Sequence, residues 1–357
     1  MRIIVLGGKG NFGARICREL AREPGIECIA ASRAATGSGA ARLDMDAPDF
    51  ARQLAALRPG LVIHCAGPFQ GQDYRVARAA CEAGAHYIDL SDGRDFVANF
   101  ADALNGQATA AGICAVSGAS SVPGLSSAVV DYLARGFSAI DEIQIVIAPG
   151  QQAPRGPAPV QAVFGYAGAP VRCMRQGRWE TAYGWQSIRA LRLEGLGMRW
   201  AAICDVPDLA LFPLRYAGVR AVEFRAALEL KSQHAALWLA AALRRIGLPL
   251  PLARHAEWLN RISNRLLDRF GSPNGGMMVR VCGTRPSGEC GVSTWSLVAP
   301  EGNGPEIPCM AALLLAGRLA RSALAARGAM PCMGLLTLED FTPRFDTWGM
   351  RTVIEAH

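Results

Sequence analysis

The stretch Ile3-Ile4-Val5-Leu6-Gly7-Gly8-Lys9-Gly10-Asn11-Phe12-Gly13 decides the fold. Four branched apolar residues in a row read as a buried strand. Gly8, Gly10 and Gly13 then fit G-x-G-x-x-G, a pattern that a chain with 39 glycines produces readily by chance. Its setting makes it informative. It follows a strand run and opens a helical pattern over residues 11–21, with Phe12, Ile16 and Leu20 on one face. In that setting Gly8 permits a tight turn, Gly10 lets backbone approach a pyrophosphate, and Gly13 lets helix pack on strand. The N–H groups around Asn11 and Phe12 and the helix dipole then face the anion. A purely structural glycine turn is the competing reading.

Outward from this turn, apolar runs alternate with helical patterns. Strand-like runs occupy residues 27–32, 61–65, 86–90 and 113–117, and helical ones residues 49–57, 71–83 and 95–111. Such alternation implies βαβ units and a parallel sheet. The end of the second run selects the cofactor. An NAD site places Asp or Glu on the ribose 2′-hydroxyl about 20 residues past the glycines. This chain has Ala30-Ala31-Ser32-Arg33 instead. No carboxylate repels a 2′-phosphate there, while Ser32 and Arg33 suit one. NADP(H) is expected in preference to NAD(H), with NAD(H) as the secondary cofactor; Arg33 as a solvated loop cation is the plainer alternative. Asp44 is placed near the adenine amine, and Asp46 as a helix cap. Ala66-Gly67-Pro68-Phe69 leaves the 61–65 strand along the cofactor's path, or is an ordinary Gly-Pro turn.

The pattern changes after Ala139. Residues 140–148 are strand-like and 149–159 form a Pro/Gly/Gln-rich loop. Residues 219–231 alternate strictly, Val222, Phe224, Ala226, Leu228 and Leu230 against Glu223, Arg225, Glu229 and Lys231, as a half-buried antiparallel strand does. Residues 277–285 and 290–299 read as a hairpin, 232–246 and 252–270 as helices, and 307–327 as a long returning helix. All seven tryptophans lie at or beyond Trp179, a compositional shift that marks a second domain. The fold class is therefore α/β: a Rossmann-type doubly wound parallel sheet plus an α+β domain with an open, mostly antiparallel sheet. The boundaries are 1–130 for the dinucleotide domain, completed by a helix over 305–328; 131–304 for the substrate and dimerisation domain; and 329–357 for a C-terminal segment.

A length of 357 residues, with 51% apolar and 19% charged, describes a globular chain of about two domains. The net charge of +7 is scattered, without the basic runs and interleaved aromatics of a nucleic-acid surface. No nucleic-acid partner is expected. The 11 cysteines have no Cys-x-x-Cys or finger spacing, and no secretory leader is read before Ile3. A reduced, cytoplasmic protein without metal is the expectation. No apolar run reaches membrane-spanning length, and peripheral membrane contact is not expected either.

The glycine turn, Ala66-Gly67-Pro68-Phe69, the run from Cys81-Glu82-Ala83-Gly84-Ala85-His86-Tyr87 through Ile88-Asp89-Leu90-Ser91-Asp92, and Ser121-Val122-Pro123-Gly124 together resemble the saccharopine dehydrogenase-like oxidoreductases of the saccharopine reductase type. The resemblance covers residues 1–130 well, 304–331 loosely and 140–300 hardly. It implies a Rossmann domain, a second domain with an open antiparallel sheet, NADP(H) and a homodimer. Val122-Pro123-Gly124 stands where saccharopine reductases have an Asp-Pro-Gly that holds the substrate's amino-acid part. That departure argues against saccharopine as the substrate.

Hydride transfer needs a donor or orienter for the developing charge beside the nicotinamide. Candidates cluster at the ends of the 86–90 and 113–117 strands: Tyr87, Asp89, Ser91, Asp92, Arg94, Ser117, Ser120 and Ser121. Asp92, Arg94 and Tyr87 are taken as catalytic, with Asp92–Arg94 first, and Ser120 and Ser121 as substrate-binding. Each has a plainer reading, Asp92 as a helix cap and Asp89 as a satisfied structural carboxylate. No Tyr-x-x-x-Lys pair and no Gly-x-Ser-x-Gly elbow occurs. The readings that survive are an NADP(H)-dependent oxidoreductase acting on a small or medium organic molecule, and a non-catalytic NADP(H) redox sensor or interaction protein. Phe164, Trp179, Trp185, Trp200, Phe212 and Trp238 favour a hydrophobic substrate.

Overall fold

The computed structural model describes residues 1–34, 36–154, 156–248, 250 and 255–357. Residues 252–254 of the helix expected over 252–270, and Arg155 of the expected loop, lie outside the described residues. The chain forms two compact units, residues 1–125 with 306–336, and residues 126–305 with 337–357.

In the first unit β1 (Arg2–Leu6), α1 (Asn11–Leu20), β2 (Glu27–Ser32), β3 (Ala40–Arg42), α2 (Phe50–Ala56), β4 (Leu61–His64), α3 (Arg75–Glu82), β5 (His86–Asp89), α4 (Arg94–Ala98), α5 (Phe100–Ala110) and β6 (Cys114–Ser117) follow in order. β1, β4 and β6 carry continuous apolar runs because both faces of the sheet are covered; Ile3, Ile4, Val5, Val62 and Val116 are all fully buried. Each such side chain contributes roughly 1.5–3 kcal/mol of burial. The expected helix over 71–83 starts at Arg75, where the Asp73 carboxylate accepts the Arg75 N–H at 3.0 Å. The single helix expected over 95–111 is two, broken where Asn99 leaves helical geometry at ψ 2°.

The second unit contains α6 (Ser126–Ala134), β7 (Ala139–Ala148), α7 (Pro157–Tyr166), β8 (Pro170–Arg175), β9 (Arg178–Tyr183), β10 (Arg189–Leu193), β11 (Gly197–Ile203), α8 (Asp208–Arg215), β12 (Ala221–Leu228), α9 (Lys231–Arg245), α10 (Ala256–Leu267), β13 (Gly275–Thr284) and β14 (Cys290–Ala299). The strictly alternating segment, read as an antiparallel strand, is β12, antiparallel to β11 but parallel to β7. Its polar face is covered. Arg225 is fully buried, donating two bonds to Glu223 at 2.8 and 2.9 Å and one to the Ala201 carbonyl at 3.1 Å.

The chain then divides between the units. α11 (Ile307–Ala320) and β15 (Gly328–Pro331) return to the first, and α12 (Leu338–Thr347) and β16 (Arg351–Ala356) to the second. The expected helix over 307–327 stops early, with Ser322 at φ 55° in the left-handed region. Buried Glu306 takes Arg15 and Arg18, binding the start of α11 to α1. The segment after residue 329, set apart in the sequence reading, is thus shared out as β15, α12 and β16.

The first sheet runs β15-β6-β5-β4-β1-β2-β3 with every pair parallel. The chain winds one way from β1 to β3 and the other from β4 to β15, so the switch point lies between β1 and β4. Ligands of such sheets bind outside that point, at the strands' carboxyl ends. The second sheet runs β10-β11-β12-β7-β13-β14-β16, with β8 and β9 branching from β12. It is mixed and mostly antiparallel.

Candidate functional site

The turn after β1 is built on four glycines. Gly7 takes φ 82°, with its N–H on the Ala31 carbonyl at 2.8 Å. The tight-turn role expected of Gly8 therefore belongs to Gly7. Gly8 serves close approach instead, since a Cβ there would lie 2.8 Å from Ala30 Cα. At Gly13 a Cβ would lie 2.2 Å from the Gly7 carbonyl oxygen, so α1 sits directly on the turn. At Gly10 a Cβ would meet nothing nearer than that oxygen at 3.1 Å. Gly10 caps α1 without any side-chain hydrogen bond, and the first turn holds no acid. The N–H groups of Asn11, Phe12 and Gly13 are left for an anion.

Beside this turn β2 and β3 end together, with Ser32 opposite Arg42. The Ser32 hydroxyl is covered and, among the described residues, has no hydrogen-bond partner. Arg33 and Arg42 are exposed, and Lys9 reaches across the turn to the Ala34 carbonyl at 3.1 Å. Three cations thus belong to this corner, Arg33 next to Ser32 in the chain, Arg42 opposite it in the register and Lys9 bonded to the loop that follows. Sequence reasoning missed Arg42, because β3 is three residues long and carries no apolar signal. Lys9, next to the glycines, was the other available sign. Asp44 accepts the Asp46 N–H at 3.1 Å, and Asp46 pairs with Arg75 rather than capping α2. The residue preceding α2 is Asp49.

Ala66-Gly67-Pro68-Phe69 lies against the glycine turn: a Cβ on Gly7 would be 3.0 Å from Ala66 N. Gln72 braces this loop by donating to the Ala66 and Pro68 carbonyls at 2.9 and 2.7 Å. Phe69 differs from its expected role. Its ring packs on His64 and Phe96 at 4.9 and 5.4 Å as part of the core, so only its backbone lines the loop.

At the ends of β5 and β6 the proposed catalytic residues separate. Tyr87 is fully buried, stacked on Phe100 at 5.8 Å, with its hydroxyl 3.1 Å from His64 Nδ1. It is a core residue, which corrects its placement as catalytic. Burial also raises its hydroxyl pKa well above the ordinary value and lowers His64 to about 4, so both are neutral. Asp89 is fully buried and accepts the Ser91 N–H (3.0 Å), the Gly118 N–H (2.8 Å) and the Ser117 hydroxyl (3.0 Å) on one oxygen. Burial outweighs these bonds and raises its pKa to about 6. The carboxylate ties the end of β5 to the end of β6.

Asp92 and Arg94 lie at the rim, half-buried, Arg94 as the first residue of α4. Gln70 donates to Asp92 at 3.3 Å, joining the loops after β4 and β5, while burial raises the Asp92 pKa. Ser120 and Ser121 are 8% and 7% exposed, and Ser121 opens a π-type turn, Ser121–Leu125, which packs on α11.

The aromatic residues of the second unit do not act as one set. Trp185 and Phe212 are core, Trp179 and Trp238 are exposed, and Trp185 and Trp200 face His234 at 5.5 and 6.3 Å. Among the described residues no group of three or more His, Cys, Asp or Glu is placed to hold a metal. No helix among them is long and apolar enough to cross a membrane.

Comparison with known proteins matches residues 3–116 to the family described as the saccharopine dehydrogenase NADP binding domain. None of the curated proteins compared with the sequence matches it. Among solved structures, apo saccharopine dehydrogenase (L-Glu forming) from Saccharomyces cerevisiae is 11% identical, with a TM-score of 0.68 over 100% of this chain and 99% of that one. Homospermidine synthase of Legionella pneumophila, in complex with NAD, is 10% identical, with a TM-score of 0.60 over 100% and 91%. Amine dehydrogenase from Mycobacterium smegmatis is 12% identical, with a TM-score of 0.50 over 93% and 94%. The two-unit fold is thus that of saccharopine dehydrogenase, and residues 3–116 are similar to the NADP binding domain of that family.

Proposed function

We propose that this chain, whose residues 3–116 match the saccharopine dehydrogenase NADP binding domain, is an NADP(H)-dependent oxidoreductase. It transfers hydride to or from a small or medium organic substrate carrying an imine or secondary amine, a ketone, or an activated C=C bond. The observation that carries this reading is the corner formed by the open start of α1, the orphaned Ser32 hydroxyl and the cations Lys9, Arg33 and Arg42. It offers N–H donors to a pyrophosphate and guanidinium groups to a 2′-phosphate. Asp44 would face the adenine amine.

The dinucleotide supplies the hydride. The chain's part is to hold the phosphates at Gly10–Gly13, to keep the loop 66–69 rigid through Gln72, and to offer a proton-holding group at the carboxyl end of β5. Asp92 suits that part, because Gln70 donates to one of its oxygens and burial raises its carboxyl pKa, which strengthens its hold on a proton. Arg94 beside it steers an anionic or carbonyl group, and Ser120 and Ser121 supply polar contacts to the substrate. The 11 free thiols support a reducing, cytoplasmic setting.

The experiment is a paired titration of purified protein with NADPH and NADH, followed by a screen of imines, ketones and enones for NADPH oxidation. Tight NADPH binding with turnover of one class supports the enzyme. Tight binding without turnover across all three favours the redox sensor. Failure to bind either nucleotide overturns the reading.

A further inference from the structure

The second sheet ends on an edge that lacks the usual protection against pairing. Among the described residues β16 bonds to β14 on one side only, and all six of its residues are exposed. Val353 and Ile354, on opposite faces of the strand, are 41% and 47% exposed. No proline, lysine or register shift interrupts it. An uncovered edge of this kind is a template for another strand. The opposite edge, β10, carries Arg189 and Arg192 without an acid, so a self-pair there would gather like charge.

The hydrogen-bond pattern fixes which groups β16 offers. His357 and Val292 exchange both backbone bonds, each at 2.9 Å. Such pairs alternate along an antiparallel ladder. In the observed register Glu355, Val353 and Arg351 therefore turn their backbone groups to β14, and Ala356, Ile354 and Thr352 turn theirs to the open edge.

We propose that β16 pairs antiparallel with β16 of a second copy of this chain, about a two-fold axis at Val353. Thr352 then exchanges backbone hydrogen bonds with the partner's Ile354, using the groups that face outward. Val353 meets the partner's Val353, and Arg351 stands opposite the partner's Glu355. These last pairs occupy non-hydrogen-bonded positions, where Cβ atoms come within about 4.5–5.5 Å and an ion pair forms across the axis, twice by symmetry. Axes at Thr352 or Ile354 satisfy the same backbone parity but place Arg351 or Glu355 opposite Val353. The charges select the register. The result is one sheet continuous through two copies, independent of the oxidoreductase reading.

Sedimentation equilibrium of the full chain tests this. The native protein is expected to be a dimer, and Arg351→Glu to weaken it about tenfold or more by setting Glu against Glu twice. The double variant Arg351→Glu/Glu355→Arg is expected to restore the native constant. Val353→Cys, under mild oxidation, is expected to give a disulfide-linked dimer that the native chain, with its exposed Cys290, does not form. Because these residues are exposed in the single chain, each variant should still melt cooperatively with the native circular dichroism, lowered only by the stability the dimer contributed, and this reports that each is folded. A native monomer at tens of micromolar overturns the proposal. So does a dimer indifferent to Arg351→Glu, or a double variant as weak as the single one.

Discussion

Ser32, the last residue of β2, and Arg42, the last of β3, are parallel register partners, so a residue whose covered hydroxyl has no partner among the described residues ends beside one that is basic and exposed. Arg33 follows Ser32 directly, and Lys9 spans from the glycine turn to the same loop. A 2′-phosphate bound here would meet two guanidinium groups rather than the one visible in the sequence. Arg42→Ala and Arg33→Ala should each weaken NADPH by roughly 1.5–3 kcal/mol while leaving NADH almost unchanged. Equal losses for the two nucleotides would sink this assignment.

The glycines of the turn should not respond alike. An alanine methyl at Gly13 would sit 2.2 Å from the Gly7 oxygen, which is backbone and cannot step aside. Gly13→Ala should therefore lower the melting temperature and abolish nucleotide binding together. At Gly10 the nearest atom is 3.1 Å away, so Gly10→Ala should fold with a near-native melting temperature. Its methyl still occupies the approach to the pyrophosphate, weakening NADPH and NADH by the same factor. Thermal melts beside titrations with both nucleotides separate the cases; a Gly10→Ala protein that binds normally refutes the placement.

Asp89 predicts a pH dependence. Its folded pKa of about 6 lies above the ordinary 3.8, so the native state binds a proton that the unfolded chain has released. The associated stability is complete below about 3.8 and is lost as pH rises through about 6. Asp89→Asn keeps an oxygen for the three donors and removes that loss. The variant should gain on the native protein in melting temperature between pH 4 and pH 7.5, with the change centred between about pH 4 and 6. A difference that stays constant over this range would mean that the carboxyl does not titrate as burial dictates.

The parallel domain was legible because β1, β4 and β6 are buried on both faces and therefore written as apolar runs. Gly13 was legible because the close packing of α1 on the Gly7 oxygen admits no other residue. What escaped depended on distant partners. Ala40-Ala41-Arg42 becomes a strand only beside β2, and Gly328–Pro331 only beside β6. β12 carries the alternation of an antiparallel strand, yet nothing in its residues announces the parallel contact with β7 or the Ala201 carbonyl of β11 that takes the buried Arg225. Tyr87 looked catalytic because strand ends face the crevice; its ring instead points among Phe100, His64 and the helices above.

That difference between Tyr87 and Asp92 gives the sharpest mutational contrast. Tyr87 is fully enclosed and aromatic, so Tyr87→Ala should cost about 3–5 kcal/mol of stability through the cavity it leaves. Asp92 is half-buried, with Gln70 as its hydrogen-bonding partner at 3.3 Å, and Asp92→Asn preserves its shape. That variant should melt close to the native protein and bind NADPH normally. Once a substrate is in hand, its turnover should fall by about two orders of magnitude or more, the usual worth of a positioned acid or base. Its pH–rate profile should also lose the limb set by the raised carboxyl. Chemical denaturation and steady-state kinetics on the two variants decide the matter. A stable Tyr87→Ala protein with lost turnover would return Tyr87 to the site, and an unimpaired Asp92→Asn enzyme would move proton transfer away from the end of β5.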